Sequence, residues 1–407
     1  MNLFPPQTLP VQHLLPEEPL LMMGAGPVPI PASVAQANSI VINHLGNTMS
    51  VVIDQIKRMS RYVFQTNSEW VIGVAGPGSA AMEMAVSNIV FEKTRVLSVC
   101  NGFFSKRLSE MAARAGGSVY EHVVQDCHSA DPDLVLKDIK KHKPEVLTIV
   151  HGETSNTIIN SSLKEICQIA KENNILTIVD AVCTLSTTKL EMDNWNIDAV
   201  ITGGQKGLSS IPGVSLVAFS SEAWKRISNR KQRSSHWCLD AKLAFNFWHN
   251  NSYHYTAPVS GLLALHEALR LVCQETLPLR FYRHEKCSIA LQKGIEAMGL
   301  SLYSPPQSRL NSVIGINIPD GIKSSEICTH ISKKYKVEIA GSFGLNIIRI
   351  GQMGEQSREH NLFRTLHALG STMQDLGFQS DIPNGVAILE STIQKYSNAT
   401  NKAENAA

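Results

Sequence analysis

The sequence predicts an α/β fold: a large domain on a mostly parallel sheet, followed by a small α+β domain. Three observations lead there. Between about residues 70 and 220, short apolar runs alternate with stretches of helical periodicity. Beyond residue 220 the pattern turns mostly helical, and strand-like runs return only near the C-terminus, among further helices. Short β-rich runs separated by amphipathic helices describe βαβ units, whose strands pair in parallel.

Each element can be read in turn. A Pro-rich arm, MNLFPPQTLPVQHLLPEEPLLMM, leads into GAGPVPIP, where glycine and proline specify turns rather than helix. Apolar residues from Val51 to Phe64 recur at helical spacing. The runs RVLSV, EVLTIV, ILTIVD, DAVIT and VSLVAF read as strands, with SKRLSEMAARAG, DLVLKDIKKHK and SLKEICQIAKENN as helices between them. A long helical stretch then begins at SGLLALHEALRL and ends at GIEAMG. NSVIGINIP, a helical SSEICTHISKKY, VEIAGSF with NIIRIGQMG, and a last helix over EHNLFRTLHALGSTMQDLG complete the pattern. This organisation gives an N-terminal arm over 1–22, a large domain over 23–285, a small domain over 286–396 and a frayed polar tail over 397–407.

Composition excludes several classes. With 37 basic and 35 acidic residues in 407, bulk charge draws no polyanion, so no nucleic-acid partner is expected. The N-terminus lacks a basic segment followed by a continuous apolar one, and no run of ~18 apolar residues exists. Neither a signal peptide nor a membrane span is expected. The eight cysteines form no CxxC pair and no His/Cys ligand spacing, which points to reduced thiols in a cytoplasmic protein and to no metal site.

The chemistry begins at ITGGQKGLSS, where Lys206 follows a buried-looking strand. A charged lysine there is costly unless it is paired or loses its proton, and a deprotonated lysine is a nucleophile. Ligands of open α/β sheets sit at the carboxyl ends of the strands. There the sequence sets Asn101 to Phe104 after RVLSVC, His151 to Thr154 after EVLTIV, Asp180 after ILTIV, and Gln205 and Lys206 after DAVITGG. Upstream, GPGS precedes a helical pattern from Met82 to Val90, and a helix start suits a phosphate. Lysine, carboxylate, aromatic ring and phosphate cradle are together what pyridoxal phosphate requires. A core Asp–Lys pair at the sheet edge is the alternative.

The stretches GAGPVPIP, YVFQT, GPGSAAMEMAVSN, NGFFSKR, HGETS, VDAV, GGQKG, YHYTAPV and RIGQMG run in order from about residue 20 to 355. In this order the sequence resembles the class V aminotransferases of fold type I, and within them the alanine/serine–glyoxylate group. The resemblance implies an aspartate-aminotransferase-like large domain with a seven-stranded-type sheet that binds pyridoxal 5'-phosphate. It makes Lys206 the Schiff-base lysine and proton carrier, and Asp180 the partner of the pyridinium nitrogen. Phe104 falls where a ring stacks on the cofactor, Thr154 where a hydroxyl reaches the phenolic oxygen, and Gly78, Ser79 and Gln205 at phosphate positions. Tyr253 and Thr256 match residues completing the phosphate site of a neighbouring subunit, which implies a homodimer. Arg349 matches the arginine that grips the substrate carboxylate, and Gly26 and Asn47 fall in stretches that line the substrate pocket.

The chain also departs from the family pattern. Pro77 stands where a serine is common, Thr157 where a glycine is usual, and Gly46-Asn47-Thr48 and Gln352 differ from the glyoxylate enzymes. The expected activity is transfer of an amino group from a small donor such as alanine or serine to a small 2-oxo acid such as glyoxylate or pyruvate. Ureidoglycine–glyoxylate and pyridoxamine–pyruvate exchange are alternatives. So are a lyase, desulfurase or epimerase outcome on the same fold, and cofactor binding without turnover. Cys328, in the region where desulfurases carry a catalytic thiol, sits in a helical pattern and reads as core.

Overall fold

The computed structural model describes residues 5–125 and 127–404. Strand β1 (Leu21–Met22) and a short helix α1 (Ala32–Asn38) precede α2 (Asn47–Phe64). Helix α2 buries Met49, Ile53, Ile56, Ser60 and Val63, spaced by three or four, and stops at Gln65 in the left-handed region. The large unit follows: β2 (Val71–Ala75), α3 (Gly78–Ile89), β3 (Arg95–Cys100), α4 (Phe103–Arg114), β4 (Ser118–Val123) and α5 (Pro132–His142). Asp131 caps α5, accepting from the N–H groups of Asp133 and Leu134, and Pro132 supplies a preset first turn. Next come β5 (Val146–Val150), a hairpin of β6 (Gly152–Glu153) and β7 (Ile158–Ile159), α6 (Leu163–Glu172), β8 (Leu176–Asp180), β9 (Ala199–Gly203) and β10 (Val214–Phe219).

Seven of these strands form one sheet in the order β2-β10-β9-β8-β5-β3-β4. Strand β10 runs antiparallel to both its neighbours, and the other pairings are parallel. The central strands are β-branched and buried on both faces, as a sheet sandwiched between helices requires. Two strands are absent from the apolar runs read in the sequence. Val71–Ala75 is interrupted by Gly73, which leaves room for the Trp248 ring, and Ser118–Val123 is an edge strand with mostly exposed side chains.

Helices α7 (Ser221–Ser228), α8 (Ala241–Asn250), α9 (Val259–Glu275) and α10 (Leu277–Ala297) lead out of the large unit. The small unit then carries β11 (Val313–Asn317), α11 (Ser324–Tyr335), β12 (Val337–Glu338), β13 (Ala340–Gly341), β14 (Ile347–Gly351), α12 (Glu359–Asp375) and α13 (Ile382–Glu404). Its antiparallel sheet has the order β11-β14-β13. Strand β1 pairs with β12 and Met23 is buried in the small core, so the chain's first strand packs with its last third. The tail expected to fray from Ser397 is helical to Glu404, with 405–407 outside the described residues; Leu389 and Ile393 of α13 enter the small core beside α10. All eight cysteines are free thiols, and no helix among the described residues is long and apolar enough to cross a membrane.

A buried charge cluster joins the two units. Glu275, at the end of α9, accepts from Arg280 Nη1 at 2.6 Å and from Arg283 Nε and Nη2 at 2.5 and 2.9 Å. Arg280 Nη2 in turn donates to the Gly207 carbonyl, next to Lys206, at 2.6 Å. Arg283 Nη1 donates to the Gly354 and Ser357 carbonyls, just beyond β14, at 2.9 and 2.6 Å. His284 Nε2 accepts from the Gly354 N–H at 2.9 Å, which fixes a neutral ring in an environment that keeps its pKa well down.

Thr157 has φ +58° and lays its side chain against Gly315, where a Cβ would stand 2.5 Å from Thr157 Oγ1. Gly315→Ala is expected to cost about 2 kcal/mol by overpacking, and far less in a Thr157→Gly background. A urea double-mutant cycle with strictly additive losses would refute shared occupancy of that space. Burial works to raise the Glu275 pKa, but Arg283 and Arg280 outweigh it and hold the group at about 2. Its stabilisation is therefore complete above the ordinary glutamate value of 4.5 and is lost as pH falls toward 2. Glu275→Gln is expected to lose about 2–3 kcal/mol at neutral pH, the low end for a buried pair because part of the side chain meets water. The gap to wild type should close at acid pH; a gap of constant size would assign the loss to packing instead.

Candidate active site

The strands β2, β3, β5, β8 and β9 all end at one edge of the sheet, and a cavity of about 200 Å³ opens there. Lys206, Asp180, Phe104 and Thr154 line it, together with Gly78, Ser79 and Gln205. Seven residues expected from separate stretches of sequence thus converge.

Lys206 sits in the turn after β9, and its Nζ donates to the Ala25 carbonyl. A backbone carbonyl is a weaker partner for an ammonium than a carboxylate. Burial lowers the lysine's pKa, and Arg349 adds to this against the opposing pull of Cys183 and Asp180. Gly26, expected at the substrate, leaves room for the lysine: its φ is +94°, and a Cβ would lie 2.5 Å from Nζ.

Asp180 ends β8 and accepts from the Val182 N–H at 2.8 Å. Burial raises its pKa to about 7; the Val182 bond opposes this, Glu153 reinforces it, and Arg107 and Lys206 pull it down. Such a carboxylate is under-solvated and has capacity for an incoming N–H or cation. His151, whose N–H donates to the Asp180 carbonyl, is kept neutral, its pKa pushed down to about 4 by burial.

Phe104 is placed by Glu153, a residue sequence reasoning passed over. The wholly buried Glu153 carboxylate accepts from the N–H groups of Phe104 and Ser105 at 3.0 and 2.9 Å, capping the start of α4. Its other oxygen accepts from the Ser155 N–H and hydroxyl at 3.1 and 2.6 Å. Gly102 permits this approach, because a Cβ there would lie 2.5 Å from the Glu153 carboxyl carbon. Arg107, three residues after Phe104 on the same helix face, was also missed. Its guanidinium lies 4.9 Å from the Phe104 ring centroid, lines the cavity and donates to Ser79 Oγ at 3.0 Å. The helical spacing from Phe104 is the signal that could have found it.

The far end of the cavity has the character of an anion site. Helix α3 begins at Gly78 behind Pro77, whose missing N–H removes one donor. Ser79, the free N–H groups of the first turn and Arg107 supply others. The Gln205 amide oxygen is buried with no partner, and turning the amide over would present its NH2 donors, instead of that acceptor, to an anion.

Arg349, on β14, is buried and reaches across from the small unit. Its Nε donates to the Gly341 carbonyl and its Nη1 to the Thr154 carbonyl, each at 2.8 Å. Five expected residues do not line the cavity: Gly26 lies behind Lys206, Arg349 is held by the Gly341 and Thr154 carbonyls, and the other three stand farther out. Asn47, Tyr253 and Thr256 are exposed on an outer face, where the Tyr253 ring meets His44 edge-on at 6.0 Å and Asn251 Nδ2 donates to Ser50 Oγ at 3.1 Å. Gln352, one of the departures, is fully buried beside Ser357 and lines no part of the cavity. Cys328 lies inside α11 against the small core, its thiol pushed up by burial, and is no loop nucleophile.

These groups fit pyridoxal phosphate. A desolvated amine, a buried carboxylate with spare hydrogen-bond capacity, an aromatic face and an anion cradle with an orphaned amide surround one space. The Aminotransferase class-V family model matches residues 32–348. Alanine–glyoxylate aminotransferase of Drosophila melanogaster is 30% identical over 393 residues, covering 94% of this chain and 99% of that one. The crystal structure of ureidoglycine–glyoxylate aminotransferase from Bacillus subtilis superposes with a TM-score of 0.89 at 29% identity, covering 93% and 99% of the two chains. That of alanine–glyoxylate aminotransferase from Nostoc sp. does so with a TM-score of 0.85 at 31% identity, covering 90% and 100%. The chain therefore belongs to the class V aminotransferases, pyridoxal-phosphate-dependent transaminases of fold type I.

Proposed function

We propose that this transaminase moves an amino group from a small amino acid donor to a small 2-oxo acid, glyoxylate or pyruvate, at an active site shared between two identical subunits. The observation that carries the reading is Lys206, an amine desolvated at the strand edge opposite a carboxylate that burial has raised to about 7. The glyoxylate named in each of the relatives above supports the acceptor.

Pyridoxal phosphate, when bound, supplies an electrophilic carbon for amines and a ring that withdraws electrons from the donor's Cα. The chain's own residues would do the rest. Lys206 Nζ, its ammonium form disfavoured by burial, would hold the cofactor between turnovers and carry the proton removed from the donor Cα. Asp180 would accept the ring N–H of the cofactor, whose positive charge would favour the ionised carboxylate. Phe104 gives the ring a stacking face, and Thr154 supplies a hydroxyl. Gly78, Ser79, Gln205 and Arg107 hold the phosphate. Arg349 takes the substrate carboxylate with its remaining N–H groups, its plane already fixed by two carbonyls.

The dimer is supported by what the single chain leaves outside. Tyr253 and Thr256 stand exposed beside His44, and Ile40, Val41, Leu45 and Val51 leave apolar surface on the stretch around His44. Those stretches are suited to complete the site of a second copy. Eight free thiols support a reducing, cytoplasmic setting.

The purified protein with its cofactor is expected to show a visible absorption band that Lys206→Ala abolishes. An amino donor should bleach it and glyoxylate restore it, with one oxo acid formed per amino group moved. A lyase would instead release ammonia without needing an acceptor, and that result would overturn the reading. Sedimentation should give a dimer; a monomer with full activity would rule out the shared site.

A further inference from the structure

Three phenylalanine rings cluster beside the cavity. Phe103 and Phe343 are large apolar residues left 43% and 51% exposed. Their rings stack with centroids 4.5 Å apart and planes 17° apart, and Phe104 meets them edge-on at 5.5 and 6.0 Å. The second neighbour of Phe343 is Arg349, whose guanidinium carbon lies 5.3 Å from the ring centroid. Phe103 comes from the first turn of α4 in the large unit, and Phe343 from the loop between β13 and β14 in the small one. That loop is tied down beside the stack by a hydrogen bond from Ser342 Oγ to the Ser155 carbonyl, and Gly344 turns it back with φ +75°.

We propose that Phe343, held on Phe103, is a specificity-determining residue that selects amino donors with apolar side chains over hydroxylated or ureido-bearing ones. This rests on Arg349 binding the substrate carboxylate. A donor anchored there, with its amine directed at the Lys206 end of the cavity, has its Cα between Arg349 and Phe104, and Phe343 touches both. A methyl or ethyl group gains by covering an aromatic face. A hydroxyl or ureido group pressed against the same face gives up water and receives no partner in return. Discrimination of this kind is worth about ten- to a hundredfold in kcat/KM.

The test compares 2-aminobutyrate, alanine and serine as donors, with glyoxylate fixed, in the cofactor-loaded enzyme. Wild type is expected to favour 2-aminobutyrate and alanine over serine by about ten- to a hundredfold. Phe343→Ser should lower kcat/KM for 2-aminobutyrate and raise it for serine, while Phe343→Leu keeps the apolar preference. A merely structural role would depress all donors together, and that pattern, or an unaltered ratio, overturns the proposal. So does a wild-type ratio near one. Arg349→Ala separates the underlying reading: if it leaves the Michaelis constants of every acid unchanged, the carboxylate assignment falls first.

Discussion

An amine is kept inside this protein by a single backbone carbonyl, and the surrounding structure is arranged to make that possible. Lys206 needs room, dryness and a fixed turn. Room comes from Gly26, where any side chain would occupy the position of Nζ. The turn comes from Gly204, where a Cβ would stand 2.6 Å from the Val214 carbonyl, so β9 can fold back only without one. Its far side is held by Arg280 of helix α10, which donates to the Gly207 carbonyl. The glycines of GGQKG are thus packing requirements of the turn, separate from any contact with a ligand.

Two buried carboxylates stand at the same sheet edge, and their surroundings divide the labour. Glu153 receives four hydrogen bonds from Phe104, Ser105 and Ser155, so the protein itself satisfies it. It can carry charge in the interior as a helix cap. Asp180 receives a bond from Val182, and burial raises its pKa, with the neighbouring Glu153 carboxylate acting in the same direction. A carboxyl whose folded pKa is raised destabilises the fold at pH values above its ordinary one. That burden is relieved only by a proton or an N–H from outside the chain. Strain of this kind at one group, surrounded by satisfied ones, is the physical mark of a binding position.

Most of the cavity was legible because strand ends are legible. Asp180, Thr154 and Lys206 each follow an apolar run, and a parallel sheet brings such ends to one edge whatever lies between them. Residues acting from the side of a helix were harder to see. Arg107 and Glu153 lie inside NGFFSKR and HGETS, but their roles exist only once α4 is docked on the β6–β7 hairpin. The edge strand Ser118–Val123 escaped because half-exposed strands do not read as apolar runs, and α13 because its buried residues are diluted by a polar tail. Thr157 looked like a loss, since its backbone is left-handed. Its buried hydroxyl meets Ser304 Oγ at 2.9 Å and its side chain occupies space that Gly315 leaves open, so the departure has a compensation far away in sequence.

Arg349 is a frame residue from a distant element, whatever it binds. Its Nε and Nη1 bind the carbonyls of Gly341, in its own sheet, and Thr154, on the large unit, before any substrate arrives. The Arg283 brace holds the backbone just beyond the same strand, and the Arg280 brace holds the turn beside Lys206, both through Glu275. Arg349, proposed to bind the substrate carboxylate, and the Lys206 amine are therefore fixed with respect to each other by one buried charge network and one guanidinium plane. A lysine in place of Arg349 would keep the charge and lose the plane, because an ammonium cannot hold two carbonyls in a fixed fork and still face a third acceptor. Positioning here is inseparable from binding, since the same N–H geometry sets both.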